Sequence, residues 1–250
     1  MIAGPTASGK SALAMDLAKR LDGTLISADS RQVYRGFDIG TAKPTSEEQA
    51  EVPHRLIDIV EPTETFTVAQ FRELARAEIA QAHAEGRLPL LVGGTGLYIR
   101  AVLGGYAIPE VPPDPALRET LEALEDPHAR LAEVDPASAA RLHPNDRVRV
   151  IRALEVFHLT GKPISELQTR EESPYQVAFL ALDWPRETLY ERINKRTLQM
   201  FEMGLSDEVA ALAKRYGPDL PLLQTLGYAE TLRWQHGEIS QEEAIALIQQ

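Results

Sequence analysis

The chain has 250 residues, 44% of them apolar and 25% charged, a net charge of -11 and no cysteine. That length carries a sizeable core in one or two domains. The missing cysteines exclude a disulfide framework or a thiolate metal site and fit a cytoplasmic protein. No apolar run approaches the roughly 18 residues that read as a membrane span, and no basic-then-apolar stretch opens the chain, so neither a span nor a leader is expected. The acidic balance argues against nucleic acid as a partner of the chain as a whole, although a local basic patch overrides such an average.

Gly4-Pro5-Thr6-Ala7-Ser8-Gly9-Lys10-Ser11 matches the spacing G-x-x-x-x-G-K-[ST]. It lies between an apolar Met1-Ile2-Ala3 stub and a helical pattern over 11–21 with Leu13, Leu17 and Leu21 four apart. At a strand-to-helix turn this motif is a phosphate cradle. Its glycines let successive N–H groups face an anion, and the following helix adds its positive end. Lys10 reaches the outer phosphate oxygens, and the Ser11 hydroxyl ligates Mg2+.

Residues 24–28 read as a buried strand that delivers Asp29 to the edge where parallel α/β sheets collect ligands. A turn or N-cap role is the plainer alternative for that aspartate. A strand is expected over 55–60. A helix follows over 67–85, with Val68, Phe71, Leu74, Ile79 and Ala82 on one side and Gly86 as its stop. The buried strand 88–92 runs into Gly93-Gly94-Thr95-Gly96, a second glycine turn opening a helix over 97–103.

The proline-rich stretch 109–115 marks a domain boundary. Helical patterns over 115–125, 128–133, 136–142 and 146–160 make 110–172 a helical insertion. Residues 1–109 and 173–250 form the α/β core. Strand character returns at 175–182, and a helix over 185–203 carries Arg186, Arg192 and Arg196, the last two on one face. Further helices are expected at 206–216 and 240–250. Both ends are abrupt, and natural residues are expected to be missing at one or both.

A phosphate cradle, a carboxylate at Asp29, a hydroxyl at Thr95 and a downstream arginine pair serve two reactions equally well. A kinase would pass a phosphoryl group to a hydroxyl positioned by Asp29. A transferase with a diphosphate leaving group would break a C–O bond, with the arginines clamping the departing charge. The insertion adds a distinction, because residues 140–152 hold four arginines and a histidine against one aspartate. A nucleic-acid backbone calls for such a segment, although a solvated helix face has the same composition.

In order along the chain, the sequence resembles bacterial tRNA dimethylallyltransferases. The matching stretches are GPTASGKS (4–11), SADSRQVYRGFDIGTAKP (27–44), PHRLIDI (53–59), LLVGGTGLY (90–98), HPNDRVRVIRALEV (143–156), GKPISEL (161–167) and LGY (226–228). The resemblance implies a P-loop NTPase-like parallel α/β core with a helical insertion gripping the anticodon stem-loop. It further implies transfer of the dimethylallyl group of dimethylallyl diphosphate to N6 of the adenosine 3′ of the anticodon in tRNAs reading U-starting codons. The target base is flipped out of its stack.

Carried over, Asp29 accepts the N6 proton and Thr95 hydrogen-bonds the bridging oxygen of the diphosphate. Residues Gly4, Pro5, Thr6, Ala7, Ser8, Gly9, Lys10 and Ser11 hold the diphosphate with Mg2+ and Arg196. Contacts to tRNA fall to Asp29, Ser30, Arg31, Gln32, Thr95, Arg118, Val148, Arg149, Val150, Ile151, Arg152, Gln224, Gly227 and Tyr228. The family continues past this chain's end with a basic, aromatic segment that helps close on tRNA. A cytoplasmic monomer without membrane attachment is expected. A small-metabolite kinase, an isopentenyltransferase acting on free adenylate and a non-catalytic nucleotide switch are the alternatives.

Overall fold

The computed structural model describes residues 1–104, 109, 111–168 and 172–249. Glu110 of the expected linker and Gln250 of the expected last helix lie outside the described residues. The chain divides into two compact units, 1–102 with 177–250, and 103–176. These edges lie a few residues outside the expected ones.

In the first unit, β1 (Ile2–Ala3) leads into the glycine loop and α1 (Lys10–Leu21), then β2 (Gly23–Ser27), α2 (Ser46–Glu51), β3 (His54–Arg55), α3 (Val68–Ala84), β4 (Leu88–Gly93) and α4 (Gly96–Leu103). The second unit holds α5 (Pro115–Glu122), α6 (Pro127–Val134), α7 (Pro136–Ala139), α8 (Arg147–Thr160) and α9 (Ile164–Leu167). The first unit resumes with β5 (Leu180–Ala181), α10 (Arg186–Glu202), α11 (Leu205–Tyr216), a 3-10 turn at Pro221–Gln224, α12 (Tyr228–Gln235) and α13 (Gln241–Ile248). Among the described residues the sheet has five strands in the order β3-β2-β4-β1-β5, every neighbouring pair parallel.

The strand β2 is buried along its whole length, which explains its unbroken apolar run. Ala14, Met15 and Ala18 of α1 pack with Ile2, Leu25, Val52 and Leu90 in one core. Leu21 is exposed, contrary to the expected stripe, because a spacing of four drifts by about 40° per step around a helix of 3.6 residues per turn. The same geometry corrects α3, where Leu74 is exposed and Ala75 takes its place beside Phe71, Ile79 and Ala82.

The expected strand over 55–60 stops at Arg55, since Leu56 and Asp58 have φ of 62° and 56° and left-handed residues cannot continue a ladder. At the far edge only Leu180 and Ala181 of the expected 175–182 strand pair with β1, which has two residues to offer. The helices α2, α9 and α12 and the 3-10 turn add to the expected elements. A second core gathers Phe37, Leu205, Val209, Leu212, Leu223, Tyr228 and Leu232. The helical unit has its own core around Leu121, Leu131, Val150, Ile151 and Leu154.

Candidate anion-binding cleft

Three adjacent parallel strands, β2, β4 and β1, end at the same edge, so the loops after them converge there. Residues 4–9 leave β1, Asp29 follows β2, and Thr95 follows β4. A cleft of about 950 Å3 opens along this edge, lined by Thr6 to Ser11, Asp29, Gln32, Lys43 and Arg196, among others. Gly4 and Pro5 of the expected cradle are not part of its lining, nor are Ser30, Arg31 and Thr95.

Gly9 caps α1 in the left-handed region at φ 92° with no side chain across the helix end. That conformation costs glycine nothing and leaves the first N–H groups of α1 open. The loop is tied from Arg192 on α10 and from Trp184 just before that helix. Arg192 Nε donates to Ala7 O at 2.6 Å and the Trp184 indole to Ser8 O at 2.9 Å, with the guanidinium 5.0 Å from the indole ring centre. These ties hold Ala7 at φ 60°, a strained setting for a residue with a Cβ.

Two cations face one another here, with the Asp29 carboxylate acting on both. Lys10 Nζ donates to Pro5 O at 2.9 Å. Burial, then Arg196, pushes the lysine below its ordinary value, with Asp29 opposing. Burial also lowers Arg196, again against Asp29, and the buried Arg196 Nε has no hydrogen-bond partner among the described residues. An unpaired buried guanidinium N–H is costly, and an incoming anion relieves that cost.

Asp29 Oδ1 accepts the backbone N–H groups of Arg31 at 2.8 Å and Gln32 at 3.4 Å. Its other oxygen makes no hydrogen bond among the described residues. This is the turn geometry of the plainer reading, and it leaves one oxygen for chemistry. Thr95 Oγ1 accepts the Ser30 N–H at 3.1 Å and lies 3.4 Å from Ser30 Oγ, so its hydroxyl proton is held weakly. No group of three metal-ligating side chains exists among the described residues. The Ser11 hydroxyl, on the first turn of α1 and lining the cleft, therefore fits Mg2+ only together with substrate phosphate oxygens, the arrangement Mg2+ favours.

The remaining expected contacts separate by burial. In the helical unit Val148 and Arg149 are exposed, the arginine paired with Asp146 at 2.8 Å. Val150 and Ile151 are 0% and 3% exposed and fill the core, so their side chains offer a ligand nothing. Arg118 donates twice to the fully buried Glu155, at 2.8 and 2.9 Å, and Arg152 also pairs with Glu155. Within 140–152, Arg149 and Arg152 thus have carboxylate partners, whereas Arg141 and Arg147 donate to neutral oxygens. Gln224 is exposed, whereas Gly227 and Tyr228 are buried, the latter with its hydroxyl on Glu208.

Sequence reasoning missed Trp184, Lys43 and Glu208 as parts of this cleft and its walls. Trp184 has no local signature, and the backbone partners of Glu208 lie about 170 residues away.

A family model described as IPP transferase matches residues 32–250. A tRNA dimethylallyltransferase of a Synechococcus strain is 54% identical over 250 residues, 99% of this chain and 71% of that protein. The crystal structure of the full-length tRNA isopentenylpyrophosphate transferase of Bacillus halodurans superposes with a TM-score of 0.71 at 45% identity, covering 99% of this chain and 80% of that one. A eukaryotic dimethylallyltransferase captured acting on tRNA gives a TM-score of 0.81 at 29% identity, over 99% of this chain and 65% of that one.

Proposed function

The chain belongs to the IPP transferase family, and from that premise we propose that it transfers a dimethylallyl group from dimethylallyl diphosphate to N6 of an adenosine in tRNA, releasing diphosphate. The adenosine is the one 3′ of the anticodon in tRNAs reading U-starting codons. The carrying observation is the cleft in which the glycine loop, Lys10 and the unpaired Arg196 Nε share one wall system with Asp29. A diphosphate satisfies the cations, and a neighbouring carboxylate serves the acceptor.

The exocyclic amine of adenine is a weak nucleophile, its lone pair delocalised into the ring, so proton loss accompanies attack on the prenyl carbon. The free oxygen of Asp29 takes that proton. Thr95, whose proton is weakly engaged, donates to the bridging oxygen as the C–O bond breaks. Lys10, the loop amides and Arg196 balance the charge that grows on the leaving diphosphate. Ser11 would help hold Mg2+, which would supply further charge neutralisation. Exposed Arg149 and Val148 on α8 meet the anticodon stem-loop, with Gln224 and the turn that carries it. Arg118 and Arg152 keep Glu155 as their partner and present their remaining N–H groups.

The test mixes the protein with labelled dimethylallyl diphosphate, Mg2+, unmodified tRNA and AMP as a competing acceptor. Label at the single adenosine beside the anticodon is expected. Label in AMP points to the free-adenylate enzyme, and ATP turnover without either product points to a kinase.

A further inference from the structure

One carboxylate far from the chemistry is saturated with donors from the cleft wall. Glu208, in the first turn of α11, accepts the backbone N–H groups of Asp38 at 3.1 Å and Ile39 at 2.6 Å on Oε2. Its Oε1 accepts the N–H of Gly40 at 3.2 Å and the Tyr228 hydroxyl at 2.7 Å. The Tyr228 ring lies directly against Gly40, where a Cβ would come within 2.4–2.5 Å of it. Only glycine admits so close a ring. Lys43, almost wholly buried, pins the same loop by donating to Asp38 and Asp58 at 2.5 Å each and to Tyr34 O at 2.9 Å.

The loop in turn holds a side chain at the site. Gln32 Nε2 donates to Thr41 O at 3.2 Å and Ala42 O at 3.1 Å, and its Oε1 accepts from Ser27 Oγ at 2.9 Å. Gln32 lines the cleft beside Asp29. A continuous set of hydrogen bonds therefore runs from Glu208 through 38–40 and 41–42 to Gln32. Nothing in it touches the glycine loop, Lys10 or Arg196.

We infer that Glu208 is a positioning residue for the acceptor half of the cleft, fixing Gln32, and through it the target adenine, against Asp29. The inference rests on the proposed tRNA reading. Two carboxylate oxygens accept four donors without competition, whereas an amide would turn a donor toward at least one of them, leaving it unpaired.

The experiment measures steady-state kinetics with each substrate varied in turn, and melting temperature alongside, for wild type, Glu208→Gln, Gly40→Ala and Tyr228→Phe. Glu208→Gln and Gly40→Ala are expected to raise KM for tRNA about tenfold, the scale of one or two lost hydrogen bonds. KM for dimethylallyl diphosphate stays within about twofold. Tyr228→Phe, which removes one of four donors, produces a smaller change of the same kind and reads out the inference should the other two fail to fold. Unchanged KM for tRNA in the folded variants, or both KM values rising together with a fall in melting temperature, overturns the positioning role. A wild type that transfers no label to tRNA overturns the underlying reading instead.

Discussion

Arg196 is the residue whose surroundings demand a ligand most directly. Its Nε is buried with no hydrogen-bond partner among the described residues, and Lys10 beside it is also held below its ordinary value by burial. Substituting Arg196→Ala removes a charged donor worth about 1.5–3 kcal/mol to a bound diphosphate. KM for dimethylallyl diphosphate is expected to rise by about 10- to 100-fold, with inhibition by inorganic pyrophosphate weakened in parallel. Equal pyrophosphate inhibition in mutant and wild type would contradict the assignment. Asp29 has a different signature, because its contribution is made only as the proton leaves. Asp29→Asn keeps an acceptor for the Arg31 N–H but cannot take a proton. It is expected to lower kcat by about a thousandfold while tRNA binding, followed by filter retention, stays within twofold. Near-normal turnover refutes the base role.

At the scale of elements, α8 presents one face to its core and another to solvent. Asp146 caps its N-terminus through the Arg149 N–H and also pairs with the Arg149 side chain, so the exposed guanidinium is already half compensated. Arg149→Ala is expected to weaken tRNA binding severalfold and to make the salt dependence shallower by about one counterion. Affinities unchanged across several salt concentrations would refute a backbone contact. Elements dictated by short-range chemistry were legible in the sequence. These include the glycine loop with β1 and α1, the strand–Asp29 junction, and α8 between its Asp146 cap and Gly161. Those settled by distant partners were not. The strand expected over 55–60 was cut short by left-handed Leu56 and Asp58, where Lys43 reaches across from another loop. Tyr228, read as a tRNA contact, proved to be a core residue because its ring and hydroxyl serve Gly40 and Glu208. The Thr45/Glu48 capping box of α2 was readable in principle, yet a six-residue polar helix leaves no apolar period to notice.

At the scale of the molecule, the two units are stabilised by different chemistry. The helical unit buries two carboxylates, Asp135 and Glu155, at 1% and 0% exposure. Burial acts to raise both, but hydrogen bonds outweigh it and hold both below their ordinary values. Asp135 is bonded by Ser165 and Ser138, and Glu155 by Arg118, Arg152 and the Asp114 N–H. A carboxyl lowered on folding binds protons more readily in the unfolded chain. Its stabilisation is complete above the unfolded values, 3.8 and 4.5, and is lost as pH falls through the folded ones. Protection factors of the α8 amides, that is, exchange rates corrected for the intrinsic base-catalysed rate at each pH, are expected to fall below about pH 4.5 and to be flat above it. Glu155→Gln should flatten the acid limb and cost about 3 kcal/mol at neutral pH, because two arginines lose their partner. An unchanged pH profile in that variant would refute the assignment.

The ties from Trp184 and Arg192 to the glycine loop carry a consequence for the sign of what the loop accepts. A peptide unit is planar and trans, so a fixed carbonyl also fixes the next residue's N–H in the opposing direction. With Ser8 O held by Trp184, the peptide between Ser8 and Gly9 has one orientation and no low-energy flip. That peptide thus behaves as a rectifier, because its polarity is set before any ligand arrives. While the tie holds, its carbonyl does not turn inward toward a cation, and an arriving anion spends no binding free energy on turning it.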